Sequence, residues 1–503
     1  MSVSLAKQAT ACLQKYFSFS QFRPGQEVIV TSILQGQDTL AVLPTGGGKS
    51  ICFQVPALIL PGTTIVISPL ISLMTDQVEH LLAKNISATF LNSQLSREER
   101  KSRLLQLEQG KYRFLYLAPE SLANTQLIQI CQKIKIPLFV VDEAHCASIW
   151  GQQFRPSYQK IPEFIQKIQK NGQKIIRAAF TATATPQVKA EIIQILALRQ
   201  AKIFAHSFLR ENLFFQNIAC RSLYDKNLLL FKILKLHPKR PAIIYCSTRL
   251  ACEELLALLN TFQFAVQRQI DIYHGGLAKE KRQNVQSAFL AKKLDLIIAT
   301  NAFGMGVDKD DIALVIHYQV SASLENYYQE AGRAGRNGEA GFCYLLYSDH
   351  DLEIQKQLLQ KSYPEPRSPQ QEQRWQIEIR KLQAMKNYAR SQSCLEARID
   401  HYFSEKSLHR GYCQHCAICQ QTFLQLNTKE RNIYKKLAQF NQKYFQKVEY
   451  PKPALLLTSK QMETLAVLQP SCSEELALLP GIAPFISQRA EFYRPIVEIC
   501  RPK

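Results

Sequence analysis

Negative charge is scarce in this chain: 41 Asp and Glu face 62 Lys and Arg over 503 residues, a formal charge of +21. An excess of that size suits a partner that is a polyanion, most often nucleic acid, although a basic surface without a partner fits charge alone equally well. Long apolar runs are missing too. None approaches the ~18 residues of a membrane-spanning helix, so no membrane contact is expected. The first residues, MSVSLAKQATACLQKYF, lack the charged end, long apolar core and small-residue cleavage site of a secretory signal. A reducing, cytoplasmic setting is therefore expected. The 14 cysteines are mostly scattered singly, which suits free thiols better than a disulfide framework. No internal repeat is visible beyond two halves of similar character.

What is present is an ordinary globular composition, 46% hydrophobic and 20% charged, long enough for two to four domains. Short β-rich apolar runs recur, each ending in polar or glycine-rich residues and usually followed by a helical pattern. In the first half they are TLAVL (39–43), TIVIS (64–68), RFLYL (113–117), LFVVD (138–142) and RAAFT (177–181). In the second they are AIIYC (242–246), IDIYH (270–274), LDLIIAT (294–300), LVIHY (314–318) and FCYLLY (342–347). Runs this apolar predict strands buried on both faces, as in parallel sheets covered by helices. Two successive α/β domains are expected, joined near residues 202–212. Ligands of such sheets sit at the carboxyl ends of the strands, where nearly all the polar motifs lie. A Pro/Gln-rich break after about residue 350 leads into a basic helical stretch, a cysteine cluster ending near 420, and a last segment of helical periodicity.

Four motifs carry chemistry. LPTGGGKS (43–50) follows a strand and precedes a helical run, the setting of a phosphate-binding loop, although Leu43 stands where the usual pattern begins with glycine. Its glycines let backbone N–H groups turn onto an anion, Lys49 can reach terminal phosphates and Ser50 can hold Mg²⁺. A flexible glycine turn is the alternative. In VVDEAH (140–145), Asp142 suits a Mg²⁺ contact and Glu143 the base that positions a water; alone, such a pair is more often a helix cap. In QEAGRAGRNG (329–338), Arg333 and Arg336 can project into a facing phosphate site as arginine fingers, or the loop can bind RNA backbone. In WGQQFRPSY (150–158), Trp150, Phe154 and Tyr158 fall at core-helix spacing. Gly151 and Pro156 argue instead for an aromatic loop that, with Arg155, stacks bases.

Cys394, Cys413, Cys416 and Cys419 are spaced C-x₁₈-C-x₂-C-x₂-C, which suits a four-thiolate Zn²⁺ site. The C-x₂-C-x₂-C run also matches an iron–sulfur pattern. His409 and His415 lie near enough to enter the ligand set.

With FRPGQ (22–26), SPLISLMTDQV (68–78), FTATAT (180–185), YCSTR (245–249) and ATNAFGMGVDK (299–309) added in order, residues 10–420 resemble the RecQ family of DNA helicases. The resemblance implies two tandem RecA-like parallel-sheet domains (1–205 and 206–350), then a helical zinc-binding module (351–422). It implies ATP-driven 3′ to 5′ movement on single-stranded DNA and unwinding of 3′-tailed duplex in repair or recombination. ATP, Mg²⁺ and Zn²⁺ would be bound by a monomer near the nucleoid, with single-strand-binding or recombination proteins as partners. Arg23 and Gln26 would read adenine with Phe19 stacked on it. Thr45, Gly46, Gly47, Gly48, Lys49, Ser50 and Asp308 would line the nucleotide. Thr181 and Thr183 would couple hydrolysis to movement, Ser72, Arg249 and Thr300 would contact DNA, and Arg336 would be the stronger finger.

Two departures stand out. Gln152 and Gln153 replace the family's His-Asp in the aromatic loop, and Ser18 replaces a glycine before Phe19. Residues 425–503 resemble a small helical HRDC accessory domain, notably in EELALLPGI, and leave no room for the family's winged helix. The tail is expected to be dispensable for ATPase and tail-dependent unwinding. An RNA helicase or duplex translocase shares the two sheets, and a non-hydrolysing clamp or annealing protein is a further class. The latter would expect damage at Lys49, Glu143 or the finger arginines, and none is damaged.

Overall fold

The computed structural model describes residues 2–44, 46–151, 154–169, 174–205, 210–304, 309–404, 411–422, 424–445 and 456–501. Thr45, Gln152, Gln153, Asp308 and His409 lie outside them.

Thirteen strands are described. β1 (Thr39–Val42), β2 (Thr64–Ile67), β3 (Ala88–Leu91), β4 (Phe114–Leu117), β5 (Leu138–Val141), β6 (Ile176–Thr181) and β7 (Lys202–Ala205) form one sheet, ordered β3-β4-β2-β5-β6-β1-β7. β8 (Leu213–Ala219), β9 (Ala242–Tyr245), β10 (Ile270–Tyr273), β11 (Leu296–Ala299), β12 (Leu314–His317) and β13 (Gly341–Tyr347) form the second, ordered β10-β11-β9-β12-β13-β8. Every pairing is parallel. All residues of β1, β2, β4, β5, β6, β9, β11 and β12 are buried, because helices cover both faces.

All ten apolar runs became strands, and three strands had not been expected. β3 is only four residues with a polar Thr89 inside it, and β8 is interrupted by Gln216 and Asn217. β7 is an edge strand with mostly exposed residues, so no burial pattern is written into it.

The zinc-module segment begins with helices Asp349–Ser362 and Pro369–Ala389. Ser368 caps the second through a reciprocal bond with Gln371, and Pro369 opens it where no N–H is needed. Among the described residues no strand follows Tyr347, and the tail is helices Thr428–Phe445, Ser459–Leu468, Ser473–Ala477, Pro484–Gln488 and Ala490–Cys500.

This tail packs against the second sheet's layer. It shares one hydrophobic core with the second sheet's helix Leu223–Leu236: Leu465 and Leu468 belong to the same cluster as Leu230 and Ile233. Lys232 Nζ lies 2.5 Å from Glu463, Lys235 Nζ donates to the Val467 carbonyl at 2.5 Å, and Tyr224 donates to the Lys460 carbonyl at 3.1 Å. With the tail seated here, apolar area on both partners leaves water.

Candidate nucleotide site and nucleic-acid interface

The phosphate loop begins where β1 ends. Val42 pairs with Thr181 at the end of β6, and the Asp142 N–H donates to the Ile67 carbonyl at 2.9 Å, so three motifs meet at one edge of the first sheet. Gly46 and Gly48 have φ of 81° and 72°, the left-handed region that glycine enters without strain, and the helix Lys49–Ile59 starts directly after. That helix N-terminus offers its unpaired N–H groups to the cleft.

A cleft of about 720 Å³ lies in front of it, a size that suits a nucleotide. The first sheet contributes Phe19, Arg23, Gln26, Gly46, Gly48, Lys49, Ser50, Asp142 and Glu143, and the second contributes Gly304, Arg333 and Arg336. The two halves touch closely. A Cβ on Gly46 would stand 3.3 Å from the Arg336 side chain. Arg23 and Gln26, expected beside adenine, line the cleft and also brace the loop. Arg23 Nη1 donates to the Gly46 carbonyl at 2.5 Å, and Gln26 Nε2 donates to the Gly47 and Gly48 carbonyls at 3.1 and 3.2 Å. Phe19 is half exposed, leaving a ring face open to the cleft.

The charges inside are concentrated. Lys49 Nζ stands 4.0 Å from Glu143. Burial and the neighbouring Glu143 charge push the Asp142 carboxyl up to about 7 against the opposing pull of Lys49, and a divalent cation would hold it ionised. Burial acts on Glu143 too, but Lys49, His145 and Arg333 outweigh it and hold the carboxyl low, at about 2. Glu143 also has φ 47° and ψ 48°, a conformation that costs a non-glycine residue of order 1 kcal/mol and persists where the surroundings impose it. Arg333 is 4% exposed, and its Nε is buried without a partner. An arginine buried this way is costly unless anions meet it, as a triphosphate would.

His145, the last letter of DEAH, was not singled out from the sequence. Its ring lies 3.3 Å from Glu143 and 2.9 Å from the Thr181 hydroxyl, which in turn donates to the Thr183 carbonyl at 3.0 Å. A continuous polar path thus joins the acid pair to the two threonines.

Among the described residues of 150–158 none is in an α-helix, and a short 3₁₀ segment, Pro156–Lys160, closes the stretch. The three rings part company there. Tyr158 is wholly buried, with its hydroxyl 3.3 Å from the Asp142 carbonyl, so it belongs to the core. Trp150 and Phe154 are only partly buried and are faced by cations from helix Pro369–Ala389. Arg374 sits 4.1 Å from the Phe154 ring centre, Arg380 sits 5.8 Å from that of Trp150, and Lys381 donates to the Gly151 carbonyl at 3.2 Å. No sequence signal marked this clamp, because its halves lie over 200 positions apart. Arg155 is partly exposed beside Glu120. Ser72 and Arg249 are exposed, whereas Thr300 is buried.

The sulfurs of Cys394, Cys413, Cys416 and Cys419 lie within 4.8 Å of one another. The Cys413 thiol, hydrogen-bonded to Cys416, brings Cys416 down to about 4, while Cys413 itself rises and burial lifts Cys394 to about 11. Four thiolates so close cannot coexist without a cation, and this donor set fits tetrahedral Zn²⁺. His415 is turned to Glu396 at 2.7 Å.

Three family descriptions match in order: DEAD/DEAH box helicase over residues 23–192, helicase conserved C-terminal domain over 225–338, and RecQ zinc-binding over 349–420. The ATP-dependent DNA helicase RecQ of Bacillus subtilis is 39% identical over 416 residues, covering 82% of this chain and 67% of that protein. The RecQ-like DNA helicase blm-1 of Caenorhabditis elegans is 38% identical over 360 residues, covering 70% and 36%. A crystal structure of the DUF1998 helicase MrfA bound to DNA and AMPPNP shares the fold, with TM-score 0.56 and 17% identity over 74% of this chain and 56% of that one. These place the molecule in the class of ATP-hydrolysing two-sheet helicases. The chain belongs to the RecQ family of ATP-dependent DNA helicases.

Proposed function

We propose that this chain is a 3′ to 5′ DNA helicase that hydrolyses ATP to move along a single strand and displace the strand ahead, acting in repair or recombination. The observation that carries the reading is the meeting of Lys49 and Glu143 from one sheet with Arg333 and Arg336 from the other in a single cleft. In this reading Lys49 and the Gly46–Gly48 backbone bind the triphosphate, and Glu143 orients the attacking water. Arg333 and Arg336 neutralise the charge that spreads over the transferring phosphoryl group. Arg23, Gln26 and Phe19 hold the base. Ser50 and Asp142 would hold Mg²⁺, which supplies charge neutralisation on the phosphates when bound.

Because the trigger comes from both sides, hydrolysis and release change the fit between the lobes, here assigned to 1–205 and 206–350. His145, Thr181 and Thr183 carry that change toward the strand-end face. Ser72, Arg249, Thr300 and the loop bearing Trp150, Phe154 and Arg155 grip the DNA there. The cysteine module, 351–422, holds one structural Zn²⁺, and 425–503 is an HRDC-like domain. The protein works as a monomer in the cytoplasm.

ATPase stimulation by single-stranded DNA, RNA and blunt duplex tests this assignment. Single-stranded DNA should stimulate most, and the Lys49→Ala variant should bind the strand without hydrolysing ATP. Stimulation by RNA alone would turn the reading toward an RNA helicase.

A further inference from the structure

Tyr245 ends β9 and is buried, with its hydroxyl on the backbone at Phe303, next to Gly304 of the nucleotide cleft. Its hydroxyl has one proton and gives it to the Phe303 carbonyl at 3.0 Å. The oxygen is then left to accept, and the nearby Arg333 guanidinium is the cation that acts on it. Arg333 passes so close to the backbone here that a Cβ on Gly304 would stand 2.6 Å from its Nη2. The Tyr245 ring is itself fixed: it stacks on His317 at 5.3 Å and 23°, and His317 is held by Glu330 at 2.9 Å, one helical turn before Arg333. Burial raises the phenol to about 12, so the hydroxyl keeps its proton and its acceptor role at neutral pH.

We propose that Tyr245 is a positioning residue that holds Arg333 at the angle from which it meets the triphosphate. This rests on the reading of Arg333 as an arginine finger. Gly304 leaves room for the guanidinium, the Phe303 carbonyl dictates which way the hydroxyl proton points, and Arg333 lines the cleft, where its charge acts on Glu143. Finger geometry matters because a small misplacement of a charged group at a reacting phosphoryl group costs rate rather than binding.

The test uses the full chain and its Tyr245→Phe, Arg333→Ala and double variants. ATPase is measured with a saturating poly-thymidine oligonucleotide, and ATP affinity by titration with a fluorescent ATP analogue. Phenylalanine keeps the ring stack on His317 and removes only the acceptor. Tyr245→Phe should lower kcat about tenfold, the size expected for a lost bond to a charged group, with KM for ATP and half-saturating oligonucleotide within twofold of the parent. The double variant should be no slower than Arg333→Ala, since Tyr245 acts through that arginine. Unchanged kcat in Tyr245→Phe, a double variant slowed by the product of the single effects, or nucleotide affinity falling together with kcat would each overturn the proposal. Unchanged kcat in Arg333→Ala is a different outcome, which would remove the finger reading itself.

Discussion

Three aromatic residues spaced by four, Trp150, Phe154 and Tyr158, should give two opposite phenotypes when cut to alanine. Tyr158 is 0% exposed and anchors the backbone at Asp142 through its hydroxyl. Removing a buried ring of that size costs about 3–5 kcal/mol, so Tyr158→Ala should be destabilised in urea and recovered poorly. Phe154 loses little on truncation: the Arg374 cation–π contact is worth about 0.5–1 kcal/mol where exposed. Its cost should appear only with DNA. Base–aromatic stacking is worth about 1–3 kcal/mol per base, about five- to 150-fold in affinity if a whole base is lost. The larger effect should fall on DNA-stimulated ATPase, because the loop follows Asp142 and Glu143 directly and is tied to them through Tyr158. The assay is ATPase with and without poly-thymidine beside a urea melt. Phe154→Ala and Trp150→Ala should keep the parent's melt and basal rate and lose stimulation. If both melt early as Tyr158→Ala does, the rings are core and the loop assignment is wrong.

Arg336→Ala should bind ATP normally and hydrolyse it slowly, since arginine fingers in related enzymes are worth about 10³–10⁵ in rate; single-turnover hydrolysis with unchanged speed would refute it. Metal analysis should find one zinc per chain, and Cys416→Ser or a strong chelator should leave the module protease-sensitive; iron would refute the zinc assignment, and no metal would refute the site. Deleting 425–503 should spare the catalytic residues but lower stability, because it uncovers the face of Leu223–Leu236 that the tail shares; a truncated chain as stable as the parent in urea would show that the shared core contributes little. Binding at matched salt should favour a 3′-tailed duplex over a blunt one, and equal affinity would point to the tail as a duplex grip.

Most of the catalytic half was legible because β1, β5 and β6 are buried on both faces, so their apolar runs announce themselves and place the polar motifs at their ends. The cysteine spacing was legible for a similar reason: thiolates three residues apart converge on one ion whatever surrounds them. What escaped was set by distant contacts. Edge strand β7 is exposed and has no pattern to read. Tyr158 shares its spacing with Trp150 and Phe154, and only packing separates a core ring from the two held by Arg374 and Arg380. The docking of Glu463 on the buried Lys232 joins positions 231 apart, and no motif flags such a pair. Tyr245 ends a strand, and no motif signals that its hydroxyl meets the Phe303 carbonyl beside the Gly304 that Arg333 crosses.

Strand displacement on matched duplexes bearing either a 3′ or a 5′ single-stranded tail, with ATP and with the Lys49→Ala variant alongside, tests the central claim most directly. The account predicts ATP-dependent displacement from the 3′-tailed substrate, little from the 5′-tailed one, and none by Lys49→Ala. Displacement without ATP, or by Lys49→Ala as fast as by the parent, would contradict a motor driven from this cleft, and preference for the 5′ tail would contradict its direction.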